Sequence, residues 1–212
     1  MNHDIDNLAS SLMQMYSTQQ RRIMIALAGP PGSGKSTLAE QLVPTINRQC
    51  GSDIATILPM DGFHLDNAIL NQQNTRHRKG APHTFDADGF NNLVKRVADA
   101  TVEVIVPVFD RQLDLARAGA SIIDESHHII LVEGNYLLLN QAPWQQLHSI
   151  FDHRIYLDVP DSVLITRLTQ RWLDHDHTAQ EALIRAESND LPNARLVAAN
   201  RLDADQILIT EA

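Results

Sequence analysis

The sequence predicts an α/β fold built on a mostly parallel sheet with helices on both faces. Three observations carry that expectation. Short apolar runs alternate with helical patterns along the chain. Most of these runs are nearly continuous rather than alternating, as strands buried on both faces are. The first of them leads straight into a glycine-rich turn followed by a helical pattern.

The bounds agree with a globular protein. At 212 residues and 23.7 kDa the chain suits one domain, residues 1–212, with 1–20 as a helical or flexible extension. A chain of this size buries about 70–75% of its unfolded surface, so its core needs no covalent staples. With 43% apolar and 20% charged residues, collagen-like and disordered classes are excluded. Cys50 is the single cysteine, which rules out an intrachain disulfide framework and fits a reducing compartment. No apolar run approaches the roughly 18 residues of a membrane span, and the first residues, carrying Asp4 and Asp6, lack a secretory pattern. The expectation is a cytoplasmic protein without a membrane partner. A net charge of −9 argues against nucleic acid, whose phosphates dominate binding. A small anion in a local basic pocket stays compatible with that balance, and so does a homodimer.

The predicted strands are Ile23–Ala28, Ile54–Leu58, Val102–Phe109, His128–Val132, Arg154–Leu157 and Gln206–Thr210. The predicted helices lie near 35–49, 86–99, 143–149, 161–174 and 179–188. In parallel sheets ligands bind beyond the carboxyl ends of the strands, so the residues after each strand matter most.

After the first strand stands Gly29-Pro30-Pro31-Gly32-Ser33-Gly34-Lys35-Ser36-Thr37, a complete G-x-x-x-x-G-K-[ST]. Its glycines let backbone N–H groups approach a polyphosphate, Lys35 reaches β- and γ-oxygens, and the Ser36 hydroxyl can ligate Mg²⁺. The following helix aims its positive end at the same charges. This pattern predicts a P-loop NTPase fold with ATP and Mg²⁺ as cofactors.

The second strand runs into Pro59-Met60-Asp61-Gly62-Phe63-His64. Asp61 stands where a carboxylate takes a hydroxyl proton or helps hold Mg²⁺, or merely caps a turn. The segment Arg76 to Asp86 is basic and broken by Gly80 and Pro82, and reads as an acceptor loop or as a solvated charge run. Asp86 also suits the cap of the helix that follows. Further on come Pro107-Val108-Phe109-Asp110-Arg111 and Glu133-Gly134-Asn135-Tyr136. Glu133 sits where an acid acts on Mg²⁺ through water, or pairs with a nearby arginine. Phe109 and Tyr136 equally suit the core. On the helix near 161–174, Leu164, Ile165, Leu168 and Trp172 form the apolar face. Arg167 and Arg171 project together from another face, either to clamp phosphate or to be neutralised by Asp174. His175-Asp176-His177 and His127-His128 are not read as metal sites.

In order, these motifs resemble the uridine kinase and bacterial pantothenate kinase group, especially its fructose-transport-system kinase or nucleoside-kinase-like branch. The resemblance runs over residues 22–210 and rests on the P-loop, Met60–His64, Arg78–Asp86, Pro107–Asp110 and Glu133–Tyr136. It implies that Asp61 is the catalytic base and a metal neighbour, that Glu133 supports the metal, and that Arg167 and Arg171 are lid arginines, the lid lying near 165–190. Where the uridine kinases have tyrosine this chain has Phe109, and Asp114 stands where they carry histidine. The Arg78-Lys79-Gly80 loop and Leu191-Pro192-Asn193 are nearer the pantothenate kinases, which are typically much longer.

The expectation is an ATP-dependent kinase acting on a hydroxyl of a small metabolite: a sugar, a nucleoside or a pantothenate-like compound. His64, Lys79, Phe85, Asp86, Phe109 and Asp110, with Asp61, are the candidate acceptor residues. The alternative is a nucleotide-binding regulator or sensor, which would need neither Asp61 nor Glu133. A GTPase reading could claim Asp86-Ala87-Asp88-Gly89 and Asn200-Arg201-Leu202-Asp203, but Asp86 does not follow a buried strand.

Overall fold

The structure, a computed structural model, describes residues 2–174 and 177–209, with side chains from residue 5 onward. His175 and Asp176 of the histidine pair lie outside the described residues. The helices are α1 (Asn2–Gln19), α2 (Lys35–Cys50), α3 (Asn67–Gln72), α4 (Ala87–Asp99), α5 (Asp161–Leu173), α6 (Ala179–Arg185) and α7 (Leu191–Asn200). The strands are β1 (Ile23–Ala28), β2 (Ala55–Pro59), β3 (Val104–Asp110), β4 (Leu115–Ile123), β5 (Ile129–Gly134), β6 (His153–Asp158) and β7 (Gln206–Ile209).

Five strands form one parallel sheet in the order β2-β5-β1-β6-β7. Along β1 and β5 the side chains point alternately to two different cores, which is why both sequences are apolar throughout. Ile23, Ile25, Leu27, Ile129 and Leu131 pack against α1 and α2 through Leu8, Leu12, Leu42 and Ile46. Met24, Ala26, Ile130 and Val132 meet Phe90, Val94 and Val97 of α4 together with Trp144 and Leu147. The N-terminal extension is thus a helix that buries Leu8, Ala9 and Leu12. A third, smaller core of Val159, Leu164, Leu168, Ala186, Leu191 and Ala194 holds α5, α7 and the π-helical turn Ala186–Asp190 together.

Two expectations need correction, and two helices are added. The run at 102–109 is not a strand of the parallel sheet. As β3 it pairs antiparallel with β4 in a separate two-stranded ribbon, so Val104 and Val106 are buried while Ile105 faces solvent. Its partner β4 is mostly exposed and carries no apolar pattern to betray it. Residues 144–149 wind as a 3₁₀ turn rather than an α-helix, with Trp144 and Leu147 turned into the core. The helices α3 and α7 add to the predicted set.

Candidate active site

Parallel register gathers three strand ends. Glu133 of β5 stands opposite Leu27 of β1 on one side and Pro59 of β2 on the other. The P-loop, which starts directly after β1, therefore shares one edge with Glu133 and with Asp61, which lies in the short 3₁₀ turn Met60–Phe63 after β2. That edge is where ligands of such sheets bind.

Gly34 precedes α2 with φ of 94°, a left-handed conformation that L side chains rarely adopt, and no side chain caps the helix start. The first N–H groups of α2 are thereby left to an anion. Lys35 Nζ donates to the Pro30 carbonyl at 2.9 Å and to Ser33 Oγ at 3.3 Å. Burial lowers its pKa to about 8, against the pull of Glu133 and Asp61 and with further depression from Arg171 and Arg111. Gly32 and Ser33 offer their carbonyls to Arg167 of α5, whose guanidinium Nη1 lies 3.4 Å from each.

Ser36 Oγ donates to Glu133 Oε2 at 3.3 Å. Glu133 is buried, and burial raises its pKa, with the negative charge of Asp61 adding to the rise while Lys35 and Arg111 oppose it. A hydroxyl and two carboxylates close enough to repel form a hard oxygen set suited to a divalent cation that keeps several waters. Asp61 itself is held by Arg111, whose Nη2 donates to its Oδ2 at 2.8 Å. Close packing makes this arrangement possible: a Cβ at Gly62 would lie 2.6 Å from the Pro107 carbonyl, so glycine lets the Asp61 turn rest on β3.

Beyond Asp61 lies an aromatic and basic wall. His64 sits against Phe85, at 4.1 Å between ring centroids, and against Phe109, at 4.5 Å. Its Nδ1 donates to the Asp61 carbonyl at 2.8 Å, which leaves Nε2 as the acceptor of the ring. Burial lowers its pKa and so favours the neutral imidazole. Lys79 Nζ lies 5.2 Å above the Phe109 ring and donates to Asn67 Oδ1, to the Asp114 carbonyl and to Asp114 Oδ1, which uses its three protons. Asp110 Oδ1 accepts from the Gln112 and Leu113 amides and so shapes the turn between β3 and β4. Asp86 is exposed and caps α4, accepting from the Gly89 amide at 2.9 Å. Tyr136 is buried, with its hydroxyl donating to the Gly80 carbonyl, and belongs to the core.

Arg171 does not answer to Asp174, which accepts from Gln170 instead. It donates at 3.2 Å to Asp190, a buried carboxylate that also accepts from Trp172 Nε1 at 2.7 Å. His127 pairs with Asp124 in its own turn, and His128 stacks on Tyr16. Three residues of this neighbourhood went unassigned in the sequence. Arg111 had one signal, its place directly after a strand end. Asn189 donates to the Lys79 carbonyl at 3.0 Å and Asn193 accepts from Arg78. Both are buried, and Asn189 Oδ1 and Asn193 Nδ2 find no partner. No sequence signal marks Asn189, whereas Asn193 stands in the Leu191-Pro192-Asn193 segment.

Comparison with known proteins adds an independent line. Residues 25–187 match the model of the family described as AAA domain. A relative from Schizosaccharomyces pombe named "Putative uridine kinase" is 37% identical, over 96% of this chain and 89% of the relative. The pantothenate kinase of Sodalis glossinidius is 28% identical over 76% of this chain and 54% of its own length. A crystal structure described as "putative fructose transport system kinase" from Silicibacter sp. TM1040 superposes with a TM-score of 0.89 at 42% identity, covering 96% of this chain and 98% of that one.

Proposed function

The chain belongs to the AAA-domain family and, within it, to the P-loop kinases of the uridine kinase and bacterial pantothenate kinase group, and on that premise we propose that this ATP-dependent kinase transfers the γ-phosphoryl group to a hydroxyl of a small metabolite. The observation that carries the reading is the joining of Ser36, Glu133 and Asp61 at one sheet edge, beside a buried Lys35. A sensor would need only the loop. Two carboxylates beside it, each feeling the other's charge, suit a reaction that handles a metal ion and a proton.

In this reading the P-loop amides and Lys35 hold the triphosphate. Ser36, Glu133 and Asp61 are the groups that would hold Mg²⁺, which when bound offsets charge on the β- and γ-oxygens. Asp61 takes the proton of the acceptor hydroxyl as its oxygen bonds to the γ-phosphorus and ADP leaves with the electron pair of the broken bond. Arg167, already over the loop, and Arg171, restrained by Asp190, close from the lid on the charge that develops. His64 and Phe109 form the acceptor wall, backed by the buried Phe85, with Lys79, Asp86 and Asp110 around it. The acceptor is a sugar, a nucleoside or a pantothenate-like compound.

The experiment is a screen of ADP formation from Mg²⁺-ATP against sugars, nucleosides, pantothenate and glycerate. The expected result is turnover that depends on one class of acceptor. Tight ATP binding with no acceptor-dependent turnover from any of them would favour the sensor.

A further inference from the structure

One buried turn touches both halves of the proposed site. The π-helical turn Ala186–Asp190 joins α6 to α7, and its last two residues, Asn189 and Asp190, are both buried. Neighbours on a helix point about 100° apart, so the two side chains leave in different directions. Asp190 reaches α5, accepting from Trp172 Nε1 at 2.7 Å and from Arg171 at 3.2 Å. Asn189 reaches the loop Arg76–Asp86 and donates to the Lys79 carbonyl at 3.0 Å. A second strut stands beside it, where Arg78 donates to the Ser188 carbonyl at 2.9 Å and to Asn193 at 3.3 Å.

Each partner of the turn leads on to a different part of the site. α5 rests on the P-loop: Arg167 lies against the Gly32 and Ser33 carbonyls, and a Cβ at Gly32 would come 3.1 Å from Leu168. Lys79 carries the other contact on to Asn67 and Asp114, at the turn between β3 and β4. A triphosphate on the P-loop competes for Arg167, because a guanidinium binds phosphate oxygens more strongly than neutral carbonyls. α5 then shifts, and the Trp172–Asp190 bond takes the turn with it. Asn189 Oδ1 and Asn193 Nδ2 are buried without a partner, which penalises the present arrangement against one that supplies them. We propose that Asn189 is a positioning residue that couples the two halves: a triphosphate on the P-loop acts through α5, Asp190 and Asn189 to order the loop Arg76–Asp86 before any acceptor arrives. By linkage, the ordered loop favours the triphosphate to the same degree.

The inference rests on the kinase reading for a triphosphate on the P-loop, and its test needs no acceptor. The probe is Mg²⁺ with the β,γ-imido analogue of ATP, whose binding to each protein is measured by calorimetry. Amide hydrogen exchange is followed over residues 76–86, where the Lys79, Ala81 and Thr84 amides donate within the loop and report its opening. In the native chain, saturating analogue should slow this exchange by about fivefold or more. In Asn189→Leu, which keeps the bulk and removes the donor, the slowing should disappear while the analogue still binds. Arg78→Gln removes the second strut and should lessen the slowing, and it decides the matter where Asn189→Leu does not fold. A merely structural role would speed exchange with and without the analogue alike and leave their ratio unchanged, which overturns the coupling. If the native chain binds the analogue and its exchange does not slow, the coupling is overturned while the kinase reading stands. A slowing that persists undiminished in the variants also overturns it, because the nucleotide then acts on the loop by another route. A native chain that fails to bind the analogue removes the kinase reading and the coupling with it.

Discussion

Ser36 Oγ and Glu133 Oε2 stand 3.3 Å apart, linking the first turn of the P-loop helix to the end of its neighbouring strand. The contact spends a weak donor on a buried carboxylate whose pKa is raised by burial and by Asp61. A divalent cation would relieve that cost better than a hydroxyl can. Glu133→Gln is therefore expected to raise the Mg²⁺ concentration for half-maximal turnover by about tenfold or more while leaving the fold intact. A Mg²⁺ titration of initial rates checks it, and an unchanged midpoint would remove Glu133 from the metal site.

Lys35 gives a prediction in pH. The triphosphate needs the ammonium form, yet burial lowers the pKa in the free chain to about 8. Below that value the lysine already carries its proton. Above it, ATP binding must take up a proton, so affinity should fall by about tenfold per pH unit until the bound-state pKa is reached. Calorimetry in two buffers of different ionisation enthalpy should show proton uptake above pH 8 and little below it on account of this group. Lys35→Ala should abolish transfer and erase that proton uptake; native-like turnover by the folded variant would contradict the loop assignment.

The proposed acceptor loop makes its own forecast. Asp86 caps α4 through Oδ1, so Asp86→Ala should cost about 0.5–2 kcal/mol of stability whatever else it does. Asp86→Asn keeps a capping oxygen and removes the charge. If Asp86 also serves the acceptor, Asp86→Asn should lower acceptor kcat/KM about tenfold at native stability, with ATP affinity unchanged. Thermal unfolding and acceptor kinetics on the same two variants separate the roles. Lys79→Ala and Asp114→Ala should both raise acceptor KM, because either one opens the clasp that ties the β3–β4 turn to the loop. Equal loss of ATP and acceptor binding in these variants would contradict the assignment.

What the chain reveals before folding follows the reach of each interaction. β1 is legible because six successive apolar residues have a home only between two cores, and the P-loop because its spacing is covalent. The Asp86 cap is legible for the same reason, being made within three residues. The ribbon is not: Val104 to Asp110 reads like a buried strand, and its partner Leu115–Ile123 exposes most of its side chains. The site residues that depend on distant partners are hidden most. Arg111 meets Asp61 across 50 positions, Lys79 meets Asp114 across 35, and Asn189 meets Lys79 across 110. No local period encodes such pairs, so residue types at strand ends show where to look but not which charge answers which.

The most direct measurement is single-turnover phosphoryl transfer by Asp61→Asn, with ATP affinity determined on the same protein. The substitution keeps the shape and the oxygen facing Arg111 but removes the proposed base. The account predicts a fall in the transfer rate of about 10²–10⁴ with ATP affinity nearly unchanged. A rate and an affinity both within about twofold of native, with the fold intact, would contradict it.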